Sequence, residues 1–267
     1  MPISIPLGAP VWADANTPDL AGDLVFYTKL FGWTTFDSGE EFGHYTEFCL
    51  GTSASNARVV AGIAPNQSDQ RGKPSAWGLS FHVEDCVRTA TAAEKLGATA
   101  VTHPMRVGDD LVWANMKDPD GAAFGLYEPL RADMGFTAFG EPGAAAWFEY
   151  AYDGVPAVAM QFYAELLDWE VTVPAWEDPR NRRPYVSLHA REAGLEFGGA
   201  AVIGEDDPDA SPRWTVCFEV AAVDRLAARA PALGGEVVGP AHDLPGLRVA
   251  TLSSPTGARF GILERTG

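Results

Sequence analysis

The chain says nearly the same thing twice. Val11-Trp12-Ala13-Asp14 returns as Ala146-Trp147-Phe148-Glu149. Phe26-Tyr27 with Leu30-Phe31-Gly32-Trp33 returns as Phe162-Tyr163 with Leu166-Leu167-Asp168-Trp169. Trp77 and Phe81-His82-Val83 return as Trp214 and Phe218-Glu219-Val220. Asp118-Pro119-Asp120-Gly121 with Phe124-Gly125 returns as Ser254-Pro255-Thr256-Gly257 with Phe260-Gly261. The offset stays between 135 and 140 throughout. A chain of 267 residues with such a repeat is expected to form two modules, each long enough for its own core. The boundaries read as 1–130 for the first module, 131–144 for a linker broken by Gly and Pro, and 145–267 for the second.

Within each copy the pattern reads strand, helix, several strands, and then the same again. Pro10–Ala15 alternates as a strand. Thr17-Pro18-Asp19 reads as a helix start, with Thr as cap, Pro in the first turn and Asp at the positive end of the dipole. Leu20, Leu24, Tyr27 and Phe31 follow at helical spacing, and Gly32 closes the helix. Strands are expected over His44–Leu50 and Arg58–Ile63, around a Gly/Ser/Asn loop at 51–56. The second unit opens with a strand over Trp77–Val83. Asp85 then caps a helix that ends at Gly97, and strands follow near Ala100–Val101, Leu111–Met116 and Ala123–Tyr127. The acidic stretch 204–212 reads as a solvated surface loop. The fold class is α+β.

Charge and cysteine usage exclude several functions. The net charge of -17 repels nucleic acid phosphates and anionic membrane surfaces. Cys49, Cys86 and Cys217 are scattered, with no CxxC, so neither a disulfide framework nor a zinc finger is expected. The start, Met1 to Pro6, lacks the basic and apolar regions of a signal peptide. No apolar run approaches a membrane span. The expectation is a cytoplasmic protein with a small organic ligand, no nucleic acid partner and no membrane partner. No GxSxG, P-loop or strand-linked GxGxxG is present.

The Phe-Tyr/Gly-Trp helix, the strand leading into Val83-Glu84-Asp85 and the Asp118-Pro119-Asp120-Gly121 turn together resemble the vicinal oxygen chelate superfamily. That superfamily includes glyoxalase I, extradiol dioxygenases, and fosfomycin and bleomycin resistance proteins. The resemblance covers the chain twice and is greatest to two-module actinobacterial proteins labelled glyoxalase-like or hydroxylase. It implies paired βαβββ units in each module, with strands curled into an open cup and helices outside.

It also implies where a divalent ion would sit. Metal-bearing members place ligands on the first strand, at the start of the second unit's strand, and seven residues after the Asp of the DPxG turn. Here those positions hold Trp12, Gly78 and Gly125 in the first module, and Trp147, Thr215 and Gly261 in the second. Neither trio is a ligand set, and both copies lack one in the same way. The expectation is therefore no metal and no cofactor.

Alternate strand residues share a face. Trp12, Asp14 and Asn16 are expected on the first cup, with Gly78, Ser80 and His82 facing them. Trp147, Glu149 and Ala151 are expected on the second, with Thr215, Cys217 and Glu219. Tyr45 matches Tyr185, and Glu47 matches Ser187. Trp12, Trp147 and Trp113 are candidate pocket walls for an aromatic ligand, with Tyr45, Tyr185, Glu47 and Glu219 as further contacts. A strand Trp serves a core as readily as a pocket, and Trp33, Trp169, Trp77 and Trp214 read as core. Asp14, Glu149 and His82 are candidate acid/base groups, although a buried carboxylate can equally be a passive hydrogen-bond acceptor. Three functions stay open on these residues. One is a cofactor-free lyase, isomerase or cyclase of secondary metabolism. The second is a sequestering protein without chemistry, and the third a structural protein with filled cups. The resemblance adds a metal-dependent glyoxalase or dioxygenase as a further alternative. Because the repeat supplies both halves of the assembly covalently, a monomer is expected to suffice, with a homodimer still open.

Overall fold

The computed structural model describes residues 4–51, 56–67, 72–204, 207 and 209–266. Parts of the first six residues and of the loops expected at 51–56 and 204–212 lie outside the described residues. Two eight-stranded mixed sheets carry the fold, one per copy of the repeat.

The first sheet contains β1 (Pro10–Thr17), β2 (Thr34–Asp37), β3 (Thr46–Leu50), β4 (Arg58–Pro65), β5 (Ala76–His82), β6 (Thr99–Val107), β7 (Leu111–Lys117) and β8 (Ala123–Pro129). Its spatial order is β2-β3-β4-β1-β5-β8-β7-β6. Each βαβββ unit is one half of the sheet: the unit's first strand pairs in parallel with its last, and the halves meet where β1 and β5 run antiparallel. The second sheet repeats this with β9 (Ala145–Tyr152), β10 (Trp169–Thr172), β11 (Val186–Ala190), β12 (Leu195–Val202), β13 (Arg213–Glu219), β14 (Glu236–Leu244), β15 (Leu247–Ser253) and β16 (Arg259–Arg265).

The first helix, α1 (Leu20–Phe31), starts two residues later than the Thr17 cap predicts. Thr17 ends β1, and Asp19 is the cap, its side chain accepting from the Gly22 amide at 3.0 Å. Thr17 turns inward instead and donates to the buried Asp23 at 2.5 Å. Gly32 closes α1 with a φ of 77°. In the second module the same helix breaks at Met160 into α3 (Pro156–Ala159) and α4 (Gln161–Leu167), and Asp168 takes the closing position with a φ of 52°. The helices of the second units are α2 (Cys86–Lys95), capped by Asp85 as predicted, and α5 (Val223–Arg229). The strand expected from His44 begins at Thr46, because Gly43 and His44 both turn left-handed.

The two sheets face each other through their helix sides. Phe26, Tyr27 and Phe31 of α1 meet Phe218 and Phe260 of the second sheet. Phe162 and Tyr163 of α4 meet Phe81 and Phe124 of the first. Trp33 donates to the Gly143 carbonyl and Trp169 to the Gly8 carbonyl, each at 2.7 Å. Trp77 and Trp214 donate to Tyr27 and Tyr163, so these four indoles belong to the core, as the sequence predicts. The DPxG turns are locked into this interface. Asp118 Oδ2 accepts from Tyr150 and Tyr163 of the other module, while its Oδ1 holds its own turn. With both helix faces buried against each other, the two cup faces are left pointing outward. Among the described residues, no helix is long and apolar enough to cross a membrane.

Candidate functional site

Strand register fixes what lies on each cup floor. Asp14 stands opposite Gly62 of β4 and Gly78 of β5, and Glu47 of β3 stands on the far side of Gly62. Trp12 is opposite Ser80, which pairs with Gly125 of β8. The second cup matches strand for strand. Glu149 lies opposite Gly199 and Thr215, Ser187 opposite Gly199, and Cys217 opposite both Trp147 and Gly261.

A Trp, a Tyr and a carboxylate meet in each cup. Trp12 Nε1 lies 2.7 Å from the Tyr45 hydroxyl, which lies 3.3 Å from Asp14 Oδ2. An indole N–H can only donate, so the tyrosine oxygen accepts from Trp12 and its proton goes to Asp14. In the second cup Tyr185 donates to Glu149 Oε2 at 3.0 Å. Trp147 Nε1 lies 3.1 Å from both the Tyr185 oxygen and Glu149 Oε2. The extra methylene of Glu149 brings its carboxylate within reach of the indole, which Asp14 does not achieve. Among the described residues, the second carboxylate oxygen in each cup takes no hydrogen bond from another side chain.

Burial raises both carboxylates. Asp14 is pushed up to about 6, against the lowering effect of its Tyr45 hydrogen bond. Glu149 is pushed up to about 7, against Tyr185 and Trp147. The same burial, reinforced by Asp14, raises the Tyr45 hydroxyl well above its usual value, so it remains a donor. Burial also raises Glu47. A carboxylate with a free oxygen and a value near neutrality is suited to accept a proton and return it.

The floor glycines have two different uses. Four of them make room for a neighbouring side chain. A Cβ on Gly62 would sit 2.0 Å from the Tyr45 hydroxyl, and one on Gly199 would sit 1.8 Å from that of Tyr185. Gly125 lies under Ser80 and Trp113, and Gly261 under the Cys217 thiol. These glycines are therefore not ligand volume. Gly78 differs: a Cβ there would meet only Asp14, at 3.4 Å and beyond.

The remaining predicted residues are spread more widely. Trp12 is buried, packed at a tilt against Phe136 of the segment between the sheets, whereas Trp147 and Trp113 are half-buried. Trp113 donates to Ser80 at 3.3 Å and so leans over the floor toward β5. His82 is four residues beyond Gly78 on β5, roughly 13 Å along a strand. Its Nδ1 lies 2.8 Å from the Ile5 carbonyl, which fixes the proton on that nitrogen and ties down the N-terminal segment. Glu219 accepts from Arg265 at 3.0 Å. Thus Trp12, Tyr45 and Asp14 come together, as do Trp147, Tyr185 and Glu149, while His82 and Glu219 stand apart. The sequence reading missed Gly62, Gly199 and Asn115. The first two sit at the same offset as the rest of the repeat and could have been found from it.

The three positions at which a divalent ion is implied do not fit one. The Trp12 and Trp147 indoles are donors, and the space above Gly125 and Gly261 is filled by Ser80 and Cys217. Gly78 and Thr215 offer at most a hydroxyl. Among the described residues, no three His, Cys, Asp or Glu side chains gather into a set that could hold a metal. Among the described residues, two concavities open on the helix-bearing sides. One, of about 200 Å³, lies between α2 and β6–β7 and the other, of about 510 Å³, beside α3, α4 and β10. Neither is lined by any of the paired cup residues.

Comparison with known proteins matches this architecture. Residues 10–126 match the family model of the Glyoxalase/Bleomycin resistance protein/Dioxygenase superfamily, and residues 153–263 match that of a Glyoxalase-like domain. The chain is 31% identical to the anthracycline biosynthesis protein DnrV of Streptomyces peucetius, over 96% of this chain and 93% of that one. It is 32% identical to the "Putative glyoxylase CFP32" of Mycobacterium tuberculosis (strain CDC 1551 / Oshkosh), over 96% of this chain and 95% of that one. Among solved structures, the Mn(II)-bound glyoxalase from Novosphingobium aromaticivorans superposes with a TM-score of 0.60 at 14% identity, covering 97% of this chain and 82% of that one. That likeness is one of fold alone.

Proposed function

The chain belongs to the glyoxalase/bleomycin resistance/dioxygenase superfamily, and from that premise we propose a metal-independent protein that holds an aromatic or polycyclic organic ligand in a Trp-walled cup. The carrying observation is the Trp-to-Tyr-to-carboxylate chain, which leaves one oxygen of a raised carboxylate without a hydrogen bond from another side chain among the described residues. Its chemistry is proton transfer. The free oxygen of Asp14 takes a proton from a carbon beside a ligand carbonyl, leaving an enolate, and returns it to another atom of the same ligand. Isomerisation of this kind balances without a further reactant. Tyr45 remains hydrogen-bonded to the other oxygen and steadies the carboxylate through both states. Glu149 is the counterpart in the second cup.

The likeness to an anthracycline biosynthesis protein across nearly the whole chain supports a polycyclic aromatic ligand and a place in secondary metabolism. The missing donor set weighs against metal-dependent glyoxalase or dioxygenase chemistry. The net charge of -17 weighs against nucleic acid and membrane partners, in keeping with a cytoplasmic protein working on a small molecule.

Titration of the protein with a panel of polycyclic aromatic compounds, followed by Trp fluorescence, tests the reading. Saturable quenching is expected. Its absence across hydroxylated and unsubstituted rings overturns the reading and favours filled, structural cups. For compounds that bind, hydrogen–deuterium exchange at carbons beside a carbonyl is expected to be catalysed. Binding without exchange or conversion identifies the sequestering alternative.

A further inference from the structure

Gly78 has no structural reason to be glycine. It lies inside β5, a central strand between β1 and β8, where glycine costs roughly 0.5–1 kcal/mol relative to alanine. Its φ is not left-handed, and no neighbouring side chain or backbone crowds its Cβ position. The other floor glycines, at 62, 125, 199 and 261, all have such an occupant, and all are buried. Gly78 is only half-buried. A glycine in a strand that nothing in the protein requires marks a close approach by something else.

The space above Gly78 is bordered by the atom that matters most. Among the described residues, the atoms near its Cβ position belong to Asp14, and the nearer is Oδ1, the carboxylate oxygen that Tyr45 leaves free. Two residues along the same face, about 7 Å away, Ser80 anchors the Trp113 indole. Asn115 lies opposite Gly125 on that face, half-buried, and its side-chain amide makes no hydrogen bond to another described residue. The second cup offers nothing equivalent. Thr215 stands where Gly78 does, directly opposite Glu149, so a branched side chain replaces the bare position.

Building on the aromatic-ligand reading, we infer that the first cup alone is the ligand seat, and that its occupant is a planar hydroxylated aromatic lying edge-on over Gly78. The ring rests along the Trp113 side of the floor, and a phenolic or enolic O–H donates to Asp14 Oδ1. An ionised carboxylate accepts and does not donate, so the ligand must bring the proton. The Asn115 amide is placed for a second polar group on the ring.

The test exchanges the two floor residues. Gly78→Thr copies the second cup into the first, and Thr215→Gly copies the first into the second. A dihydroxyanthraquinone and its dimethyl ether serve as probes, with affinities from Trp fluorescence and calorimetry. Because the Cβ position is open, Gly78→Thr is expected to keep or raise the melting temperature. It should weaken binding of the dihydroxy probe at least about ten-fold. Gly78→Ala should give an intermediate loss. Thr215→Gly should leave affinity within about two-fold. The dimethyl ether should bind wild type at least about ten-fold more weakly than the free diol. If wild type binds the diol and Gly78→Thr binds it equally well, the single seat over Gly78 is wrong while the aromatic-ligand reading stands. If diol and ether bind alike, the donor role is wrong. If wild type binds neither, both readings fall together.

Discussion

In the first cup Asp14 holds one hydrogen bond from Tyr45 and faces a bare Gly78. In the second, Glu149 holds two, from Tyr185 and Trp147, and faces Thr215. The frame is shared: the same strand order, the same register, and a tyrosine lying over a glycine on the fourth strand. One methylene and one branched side chain therefore separate a carboxylate with open space beside it from one tied back and covered. Duplication supplied two cups, and the small substitutions on the floor decide which of them a ligand can enter.

The comparison breaks most readily on activity. Asp14→Asn keeps the shape of the floor but removes the base. Positioned general bases contribute about 10²- to 10⁴-fold, and a turnover loss in that range is expected. Glu149→Gln should cost less than about ten-fold. Steady-state rates on the ligand found by fluorescence decide this, and equal losses would mean that both cups turn over. The wild-type rate should fall as pH drops through about 6, where Asp14 becomes protonated. A midpoint near 7 would instead implicate Glu149.

Stability against pH gives the next largest contrast. Both carboxylates are raised in the fold, so the folded state binds more protons than the unfolded state between the two sets of values. Their contribution to stability is present at low pH and is lost as pH rises through the folded value. Neutral replacements remove that loss. Between pH 5 and pH 8, Glu149→Gln should gain on wild type by up to about 2–3 kcal/mol, and Asp14→Asn by about 1 kcal/mol. Urea melts at the two pH values measure both. A gain in neither would mean that the carboxylates are well solvated, and the case for a poised base would fail with it.

Much of this was legible in the chain, and the limits have physical causes. The repeat gave the two modules, and the strand period put Trp12 with Asp14 and Trp147 with Glu149 on one face. Tyr45 was matched to Tyr185, but its contact with Trp12 and Asp14 was not foreseen. It lies just before β3, after two left-handed residues, and its reach over Gly62 depends on a packing that no local pattern encodes. The roles of the floor glycines are opaque for a related reason: a sequence shows that a side chain is missing, not which neighbour fills the space. Thr17 looked like a helix cap because its true partner, Asp23, is recruited into the module interface along with Thr256. That contact bridges residues of different modules and has no signature in either copy alone. The Asp118 contacts with Tyr150 and Tyr163 escaped for the same reason.

A finer difference lies in the two tyrosines. Removing the Tyr45 hydroxyl leaves the buried Trp12 N–H with no acceptor, at a cost of about 1–3 kcal/mol. Removing that of Tyr185 leaves Trp147 still donating to Glu149. Tyr45→Phe should therefore destabilise more than Tyr185→Phe, by about 1 kcal/mol in denaturant melts. Equal costs would show that Trp12 finds another acceptor and that the two hydrogen-bond chains do not differ as drawn.

The smallest effect is expected from chelation, and it bears on both cups at once. The positions that would hold an ion carry no donor set in either cup, so the two are alike in this respect as they are in their frame. A metal held at a hundred times its dissociation constant stabilises a fold by about 2.7 kcal/mol, which its removal would expose as a fall of several degrees in melting temperature. Dialysis against a chelator should instead leave the melting temperature within about 1 °C and ligand binding unchanged. Metal analysis of protein purified without chelator should find well under one equivalent of any divalent ion. An equivalent of iron, zinc or nickel that leaves with chelator and takes stability with it would restore metal chemistry to one cup. The contrast between Gly78 and Thr215 would then have to be read as a difference in how a metal-bound ligand is admitted.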